Sequence, residues 1–220
     1  MIELWHGTNN KFIVIFNENK LCLNKKKIID LCRNFKTDGL IKIRINKKIF
    51  MDFFNPDGTK DNCGNGLRVT ASFCFNKKLC SNKGIIISLK QKFPFIIKKN
   101  KTTVIFKNVV NKKGLWSVGK VLHKTILTNN IEKAKEKARK IRNKLDCNVT
   151  IIKKLRKGIF AWTFERGVED FTDACGTGAI AAALTTNENN VFMPGGLLEV
   201  RRNKENISLS GETKIIGVIK

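Results

Sequence analysis

Tyrosine is absent and histidine nearly so, with only His6 and His123 beside 15 Phe in 220 residues. Two histidines at no ligand spacing exclude a zinc-finger-like site, and none of the seven cysteines forms a C-x-x-C pair. No apolar run approaches the roughly 18 to 20 residues that span a bilayer. The longest stretches, such as Gly84-Ile-Ile-Ile-Ser-Leu89, are strand-sized. The opening Met1-Ile-Glu-Leu-Trp-His6 has no basic region followed by an apolar core, so it does not read as a signal peptide. The expectation is a cytoplasmic protein with no membrane partner.

Acidic residues are scarce as well: 18 Asp+Glu stand against 43 Lys+Arg, a formal charge of +25. A concentrated basic stripe would point to a polyanion. Here lysines run from Lys11 to Lys220 without concentrating in one tail, and no stripe is interleaved with stacking aromatics. Lys, Asn and Ile are abundant together and all have AT-rich codons, so the charge reads as compositional bias and nucleic acid is not the expected partner. The odd count of Cys22, Cys32, Cys63, Cys74, Cys80, Cys147 and Cys175 argues against a disulfide framework. Most should be reduced, buried, small apolar residues.

What is present is mostly strand-like. Segments 12–16, 41–45, 85–89, 95–97, 103–106, 149–152 and 159–164 are rich in β-branched or aromatic residues. A helix is expected over 27–35, with Ile28, Leu31, Cys32 and Phe35 on one face. The clearest helix spans 131–145, with Ile131, Ala134, Ala138, Ile141 and Leu145 as its apolar stripe and Glu136 and Lys140 as a polar i,i+4 pair. A last strand is expected over 214–219, returning to the first half.

Two further helices begin unusually. Cys63-Gly-Asn-Gly66 leads into Leu67-Arg-Val-Thr-Ala-Ser-Phe-Cys74, and Cys175-Gly-Thr-Gly178 leads into Ala179-Ile-Ala-Ala-Ala-Leu184, about half a chain later. The repetition predicts two similar halves meeting with these helix N-termini face to face. The expected boundary is the polar stretch 107–113, which shows no strand pattern. That divides the chain into 1–107 plus 211–220, carrying Cys63, and 108–210, carrying Cys175.

A helix N-terminus leaves backbone N–H groups free and carries partial positive charge, and glycine lets an anion approach closely. Two such ends around one cavity can hold a carboxylate from both sides. They are also expected to lower a cysteine pKa from about 8.5 toward neutrality. Inverting an α-carbon needs an acid/base group on each face of it, one thiolate to abstract and one thiol to donate, with N–H groups to stabilise charge developing on the carboxylate. No metal or other cofactor is needed. Neither motif has the Lys-Ser/Thr of a phosphate loop.

These residues resemble the diaminopimelate epimerase family over nearly the whole chain. Asn55-Pro-Asp-Gly58 with Asn62-Cys-Gly-Asn-Gly-Leu-Arg68 is similar to the family's N-x-D-G…C-G-N-G-x-R. Glu165-Arg-Gly-Val-Glu-Asp170 with Ala174-Cys-Gly-Thr-Gly-Ala179 is similar to E-R-G…C-G-T-G-A. His6-Gly-Thr-Asn-Asn-Lys-Phe12, Thr37-Asp-Gly-Leu40, Met193-Pro-Gly-Gly196 and Ser210-Gly-Glu212 resemble weaker family segments.

The resemblance implies Cys63 and Cys175 as the acid/base thiols. The amides of Gly64, Asn65, Gly176 and Thr177 would hold the reacting carboxylate, with Asn10 and Glu165 near its amino group. Asn55, Asn148 and Arg166 would recognise the distal end of the substrate. It implies an α+β fold of two pseudo-symmetric halves, each a curved, mostly antiparallel sheet around a central helix. It also implies a homodimer and the interconversion of LL- and meso-diaminopimelate in lysine and peptidoglycan-precursor synthesis.

This chain departs from the family in being shorter, in Lys11 beside the substrate Asn, and in the segment Gly119-Lys-Val-Leu-His123 where the family has G-N-P-H. Lys120 replaces the Asn, and His123 stands as either a displaced thiol-tuning residue or a loop histidine. The alternatives are a racemase of another amino acid on the same fold, a basic nucleic-acid-associated protein, and a decayed enzyme. The two intact cysteine motifs argue against decay.

Overall fold

A computed structural model of the protein describes residues 2–16, 23–99 and 101–219, so Cys22 lies outside the described residues. The chain begins with β1 (Ile2–Gly7) and β2 (Asn10–Phe16), and passes through α1 (Lys25–Phe35) to β3 (Leu40–Asn46), β4 (Lys48–Phe54) and a short β5 (Lys60–Asp61). It then enters α2 (Gly64–Asn76) and the meander β6 (Lys83–Ser88), β7 (Gln91–Lys98) and β8 (Lys101–Phe106). β9 (Val110–Lys112), β10 (Leu115–Val118) and β11 (Val121–Leu127) lead to α3 (Ile131–Leu145), β12 (Asn148–Lys154), β13 (Ile159–Glu165) and β14 (Asp170–Thr172). The chain ends with α4 (Gly176–Thr186), β15 (Asn190–Met193), β16 (Gly196–Asn203) and the long β17 (Asn206–Ile219).

All these strands belong to one hydrogen-bonded sheet. The pairs β2–β3, β4–β6, β11–β12 and β13–β15 are parallel, and the other pairings are antiparallel. Eight strands, β1, β2, β3, β4, β6, β7, β8 and β17, close into a barrel, with β17 as the closing stave between β8 and β1. Inside it α2 is buried from Gly64 to Cys74. Strands β10 to β13, β15, β16 and the start of β17 pack around α4.

Local chemistry explains the helices. Asn24 and Asn130 cap α1 and α3 by accepting from the N–H of Lys27 and Lys133. In α4 the small side chains of Ala179, Ala181, Ala182 and Ala183 are all buried and let strands approach closely. One hydrophobic core joins α2, with Leu67, Val69 and Phe73, to α4, with Ile180 and its alanines.

Some expectations need correction. The stretch 107–113 is not free of strand: β9 lies within it and pairs with β10, although its side chains are exposed. The apolar stripes of α1 and α3 are buried only at Ile28, Cys32, Ala134 and Ala138, while Phe35 and Leu145 are exposed at helix ends where the sheet no longer covers them. On α3 the ion pairs among the described residues join Glu132 to Lys135 and Arg142 to Asp146 and Glu169, and none joins Glu136 to Lys140. The six described cysteines are all free thiols, four of them buried, with Cys63 and Cys80 part-exposed. No helix among the described residues is long and apolar enough to cross a membrane.

Candidate active site

Cys63 and Cys175 are N-caps with nearly the same geometry. Both have extended backbones, with φ −127° and ψ 115° for Cys63 and φ −126° and ψ 109° for Cys175. The sulfur of each accepts a hydrogen bond from the N–H three residues on, Gly66 at 3.3 Å and Gly178 at 3.4 Å. A thiol is an unusual cap, so it is exposed to the unpaired amides of a helix end.

The two ends abut. A Cβ built on Gly64 would lie 3.2 Å from the Cα of Gly176, and one built on Gly176 would lie 3.1 Å from the Asn65 nitrogen. Neither helix carries an acidic residue in its first turn. Two partial positive charges therefore face each other with no acidic side chain from either helix between them, which is an arrangement suited to an anionic ligand. Asn65 bridges the motifs: its Nδ2 donates to the carbonyl of Ala174 at 3.0 Å and to Asn10 Oδ1 at 3.4 Å.

All eleven residues expected from the sequence, Asn10, Asn55, Cys63, Gly64, Asn65, Asn148, Glu165, Arg166, Cys175, Gly176 and Thr177, line one cavity of about 20 Å³, roughly enough for a single water. Sequence reasoning did not single out Asp61, Asn62, Phe53, Val121 or Ala174, which line it too. Adjacency to Cys63 was the available signal for Asp61 and Asn62. Asn62 donates to Gln91 Oε1 at 2.8 Å and to the Gly119 carbonyl at 2.6 Å, yet its buried Oδ1 has no partner.

At the rim, Arg166 donates to Asp61 at 2.9 Å and to Asp146 at 3.3 Å, while its backbone N–H is held by Asn148 Oδ1 at 2.9 Å. The Asp61–Arg166 pair joins β5 to the end of β13 and spans the mouth. Asn55 donates to Thr59 Oγ1 at 3.0 Å in a tight turn, and it meets Gly167, whose φ of +84° and missing side chain leave room for the amide.

The thiols do not follow the expectation of lowered pKa values. Burial pushes Cys63 up to about 12, and Glu165 adds to this, against the helix-terminal N–H groups and Arg68. Cys175 is raised well above its ordinary value for the same reason, with Glu165 also facing it. Loss of hydration in so small a cavity outweighs the helix ends.

His123 is not a loop residue. It lies on β11, fully buried, with Nε2 2.9 Å from Thr177 Oγ1 and Nδ1 3.3 Å from Thr150 Oγ1. Thr177 Oγ1 is in turn 3.5 Å from Cys175 Sγ. Burial lowers its pKa to about 3, so it is a neutral hydrogen-bonding neighbour of the second motif. Lys120 points to solvent with φ 72°. Among the described residues no three His, Cys, Asp or Glu side chains gather as a metal site.

Glu165 accepts a short hydrogen bond from Thr172, yet burial raises its pKa to about 7 from 4.5. Below about 4.5 it is protonated whether folded or not; between 4.5 and 7 only the folded chain keeps the proton. Its contribution to stability is thus complete below about 4.5 and lost as pH rises through 7. Glu165→Gln is expected to gain stability relative to the native chain across that window, by no more than about 1.4 kcal/mol per pH unit. Denaturant melts of both proteins across this range check it, and a pH-independent difference would refute it.

No family model matches the chain. It is 26% identical over 229 residues to a diaminopimelate epimerase of Thermotoga maritima, covering 96% of this chain and 97% of the relative. It is 29% identical over 231 residues to one of Flavobacterium psychrophilum, covering 92% and 90%. Among solved structures, a phenazine biosynthesis PhzF family protein of Enterococcus faecalis shares the fold at a TM-score of 0.71, with 13% identity over 100% of this chain and 98% of that one.

Proposed function

We propose that this chain, a member of the diaminopimelate epimerase family and an amino-acid epimerase, converts LL-diaminopimelate to the meso form by two-thiol chemistry without a cofactor. The observation that carries the reading is the junction of two helix N-termini, each capped by a cysteine, in one small cavity. In this reading the amides of Gly64, Asn65, Gly176 and Thr177 take the reacting carboxylate. Asn10 and Glu165 face its ammonium, and Asn55, Asn148 and Arg166 hold the distal amino-acid head.

One sulfur, deprotonated, takes the α-proton. The electron pair spreads into the carboxylate against the fixed N–H groups, and the opposite thiol returns its own proton to the other face. The sulfurs have then exchanged roles, and solvent exchange resets them. Because burial raises both thiols, proton loss belongs to an open, hydrated form, with the closed form serving the chemistry. A cavity of about 20 Å³ admits substrate only if the mouth at Asp61 and Arg166 parts.

We read the chain as two pseudo-symmetric halves, 1–107 with 211–220 and 108–210, which move apart for entry. The matching succession of elements and of parallel pairs supports this. We further read the protein as a cytoplasmic homodimer serving lysine and peptidoglycan-precursor synthesis. The exposed Ile215, Ile216 and Val218 of β17 offer an apolar surface for such a dimer. Lys120, turned to solvent where the family has a substrate-contacting Asn, favours one competing reading, a racemase of another amino acid.

Incubating reduced protein with LL-diaminopimelate in D₂O and following the α-proton by NMR decides between them. Deuterium incorporation with meso product is expected. Silence with this substrate but exchange in another amino acid would transfer the assignment to the racemase, and silence across a panel would end both.

A further inference from the structure

We propose that Asp61 is a specificity-determining residue for the far end of the substrate: its carboxylate holds the place on Arg166 that the distal carboxylate of the substrate takes, and once displaced it receives the distal ammonium. The mouth is then opened best by an amino acid whose far end carries both charges. This inference rests on the proposed epimerase reading and names the part of the substrate that opens the site.

Asp61 ends the two-residue strand β5, two positions before Cys63. Its Oδ2 accepts from Arg166 Nη2 at 2.9 Å, and its Oδ1 accepts from the Asn62 N–H at 2.8 Å. The two partners are 105 positions apart in the chain, and both line the cavity that holds the thiols. The Asp61 side chain is 17% exposed, whereas Asp146, the other carboxylate on Arg166, is 72% exposed. Water screens the second pair, so Asp61 is the partner that counts.

A guanidinium binds a planar carboxylate whichever molecule supplies it. The substrate's distal carboxylate can therefore replace Asp61 with charge-assisted bonds of the same kind. A cavity of about 20 Å³ has no room for both carboxylates, so entry requires the exchange. Arg166 is already positioned for it. Its backbone N–H is fixed by Asn148 Oδ1 at 2.9 Å, and its Nη1 donates to Asp146 at 3.3 Å. β5 is paired with the sheet through Phe53 and Phe54 alone, which leaves Asp61 on a short segment that yields easily.

The exchange leaves Asp61 in need of a cation. Lys60 is no substitute, since its Nζ pairs with Asp52 at 3.3 Å. The residues assigned to the distal head supply no anion for its ammonium: Arg166 is a cation, Asn55 and Asn148 are amides, and Asn148 Oδ1 already accepts from the Arg166 N–H. Asp61 fills that gap, and a second acceptor follows it in the chain. Asn62 is 5% exposed and lines the same cavity. Its Nδ2 donates to Gln91 Oε1 and to the Gly119 carbonyl, which fixes the orientation of the amide. Its buried Oδ1 has no partner among the described residues. Buried acceptors are rarely left unpaired, and an ammonium has three protons to give. A zwitterionic head thus replaces one ion pair by two.

The test compares LL-diaminopimelate with two analogues that each lack one distal charge: L-2-aminopimelate, without the ammonium, and L-lysine, without the carboxylate. Calorimetry reads binding, and α-proton exchange in D₂O reads kcat/KM. The native protein is expected to prefer diaminopimelate to each analogue by about 10- to 100-fold, the worth of one hydrogen bond to a charged group. Asp61→Asn should cut the preference over 2-aminopimelate by about 10-fold or more. It should also bind 2-aminopimelate more tightly than the native protein does, because the competing carboxylate on Arg166 is gone. Asp61→Glu, which keeps the charge, should retain most of the preference.

An equal loss for all three compounds in the Asn variant would mark Asp61 as merely structural and overturn the proposal. So would a native protein that binds 2-aminopimelate as tightly as diaminopimelate, or that binds none of the three. The native comparison decides if neither variant folds. Iodoacetamide gives a reading without substrate: Asp61→Asn should speed alkylation of Cys63 by about 5-fold or more, with the buried Cys74 and Cys147 as protected as before. An unchanged rate at Cys63 would also overturn the proposal. Preferential binding that the Asn variant loses, without exchange in D₂O, would sink the epimerase reading alone. Exchange with a selectivity that the Asn variant leaves untouched would sink the Asp61 assignment alone.

Discussion

Replacing either Cys63 or Cys175 by alanine is expected to abolish epimerisation, with a fall in kcat of at least about 10³-fold in each single variant. Each sulfur caps one of the two abutting helices, so in the two-thiol reading each addresses one face of a carbon held at the junction. With one removed, the other can take a proton and return it only to the face from which it came. Exchange with retention is then the most that one epimer could show, and inversion stops. The folded state should survive, because each change removes a single sulfur atom from a large core and the lost cap bond is a weak sulfur one. Chiral chromatography of the product, with circular dichroism to confirm folding, checks both points. Inversion persisting in either variant would mean that a single group serves both faces and would rule out the two-thiol mechanism.

Gly176→Ala should be nearly as damaging, for a steric reason. The new methyl would lie 2.8 Å from Leu209 Cδ2, 2.9 Å from Asn65 Oδ1 and 3.1 Å from the Asn65 nitrogen. Leu209 and Asn65 are themselves fully buried, and Asn65 is tied to Arg68, Asn10 and Ala174, so none can step aside without moving a motif. Overpacking of this kind costs about 1–3 kcal/mol of stability. Spreading the two helix ends by even a fraction of an ångström would also misalign the amides proposed to meet the carboxylate, so kcat/KM should fall by about 10²-fold or more. Thermal melting and steady-state kinetics measure the two effects separately. Native-like values in both would show that the helix ends are not the tight junction described here.

Much of this site was legible in the sequence because its chemistry is local. The spacing of Cys, Gly and a polar residue at each helix start picked out the two thiols and the amides beside them, while the resemblance to the epimerase family supplied Asn10, Asn55, Asn148, Glu165 and Arg166, and all eleven line one cavity. The helix over Ile131–Leu145 was equally plain from its period. Strands were harder. β16 ends in Arg201, Arg202 and Asn203, all exposed, and β9 has no buried side chain, so alternation gave no signal there. The electrostatics were not legible at all. Thiol acidity depends on how little water the closed cavity keeps, which no motif records. Arg68 takes its acceptors from Thr8 and Glu212, 60 and 144 positions away in the chain. In sequence it closes the Cys63 motif, but nothing there shows that it is buried or what it holds.

The last strand has a kinetic consequence. β17 pairs with β16 and β8 through Ile207–Ser210 and with β1 through Thr213–Ile219, so residues 2–7 find their second neighbour some two hundred positions later. The first barrel stays open along one seam until that strand arrives, and Arg68 lacks the Glu212 carbonyl until then. Closing so long a loop is entropically unfavourable before any contact rewards it, and sheets built on such distant pairings fold slowly. Refolding should therefore show an early phase from the local meanders and a late one in which barrel closure and assembly of the thiol junction coincide. An unclosed intermediate would carry an unpaired β1 edge, the kind of surface that recruits a second unfolded chain.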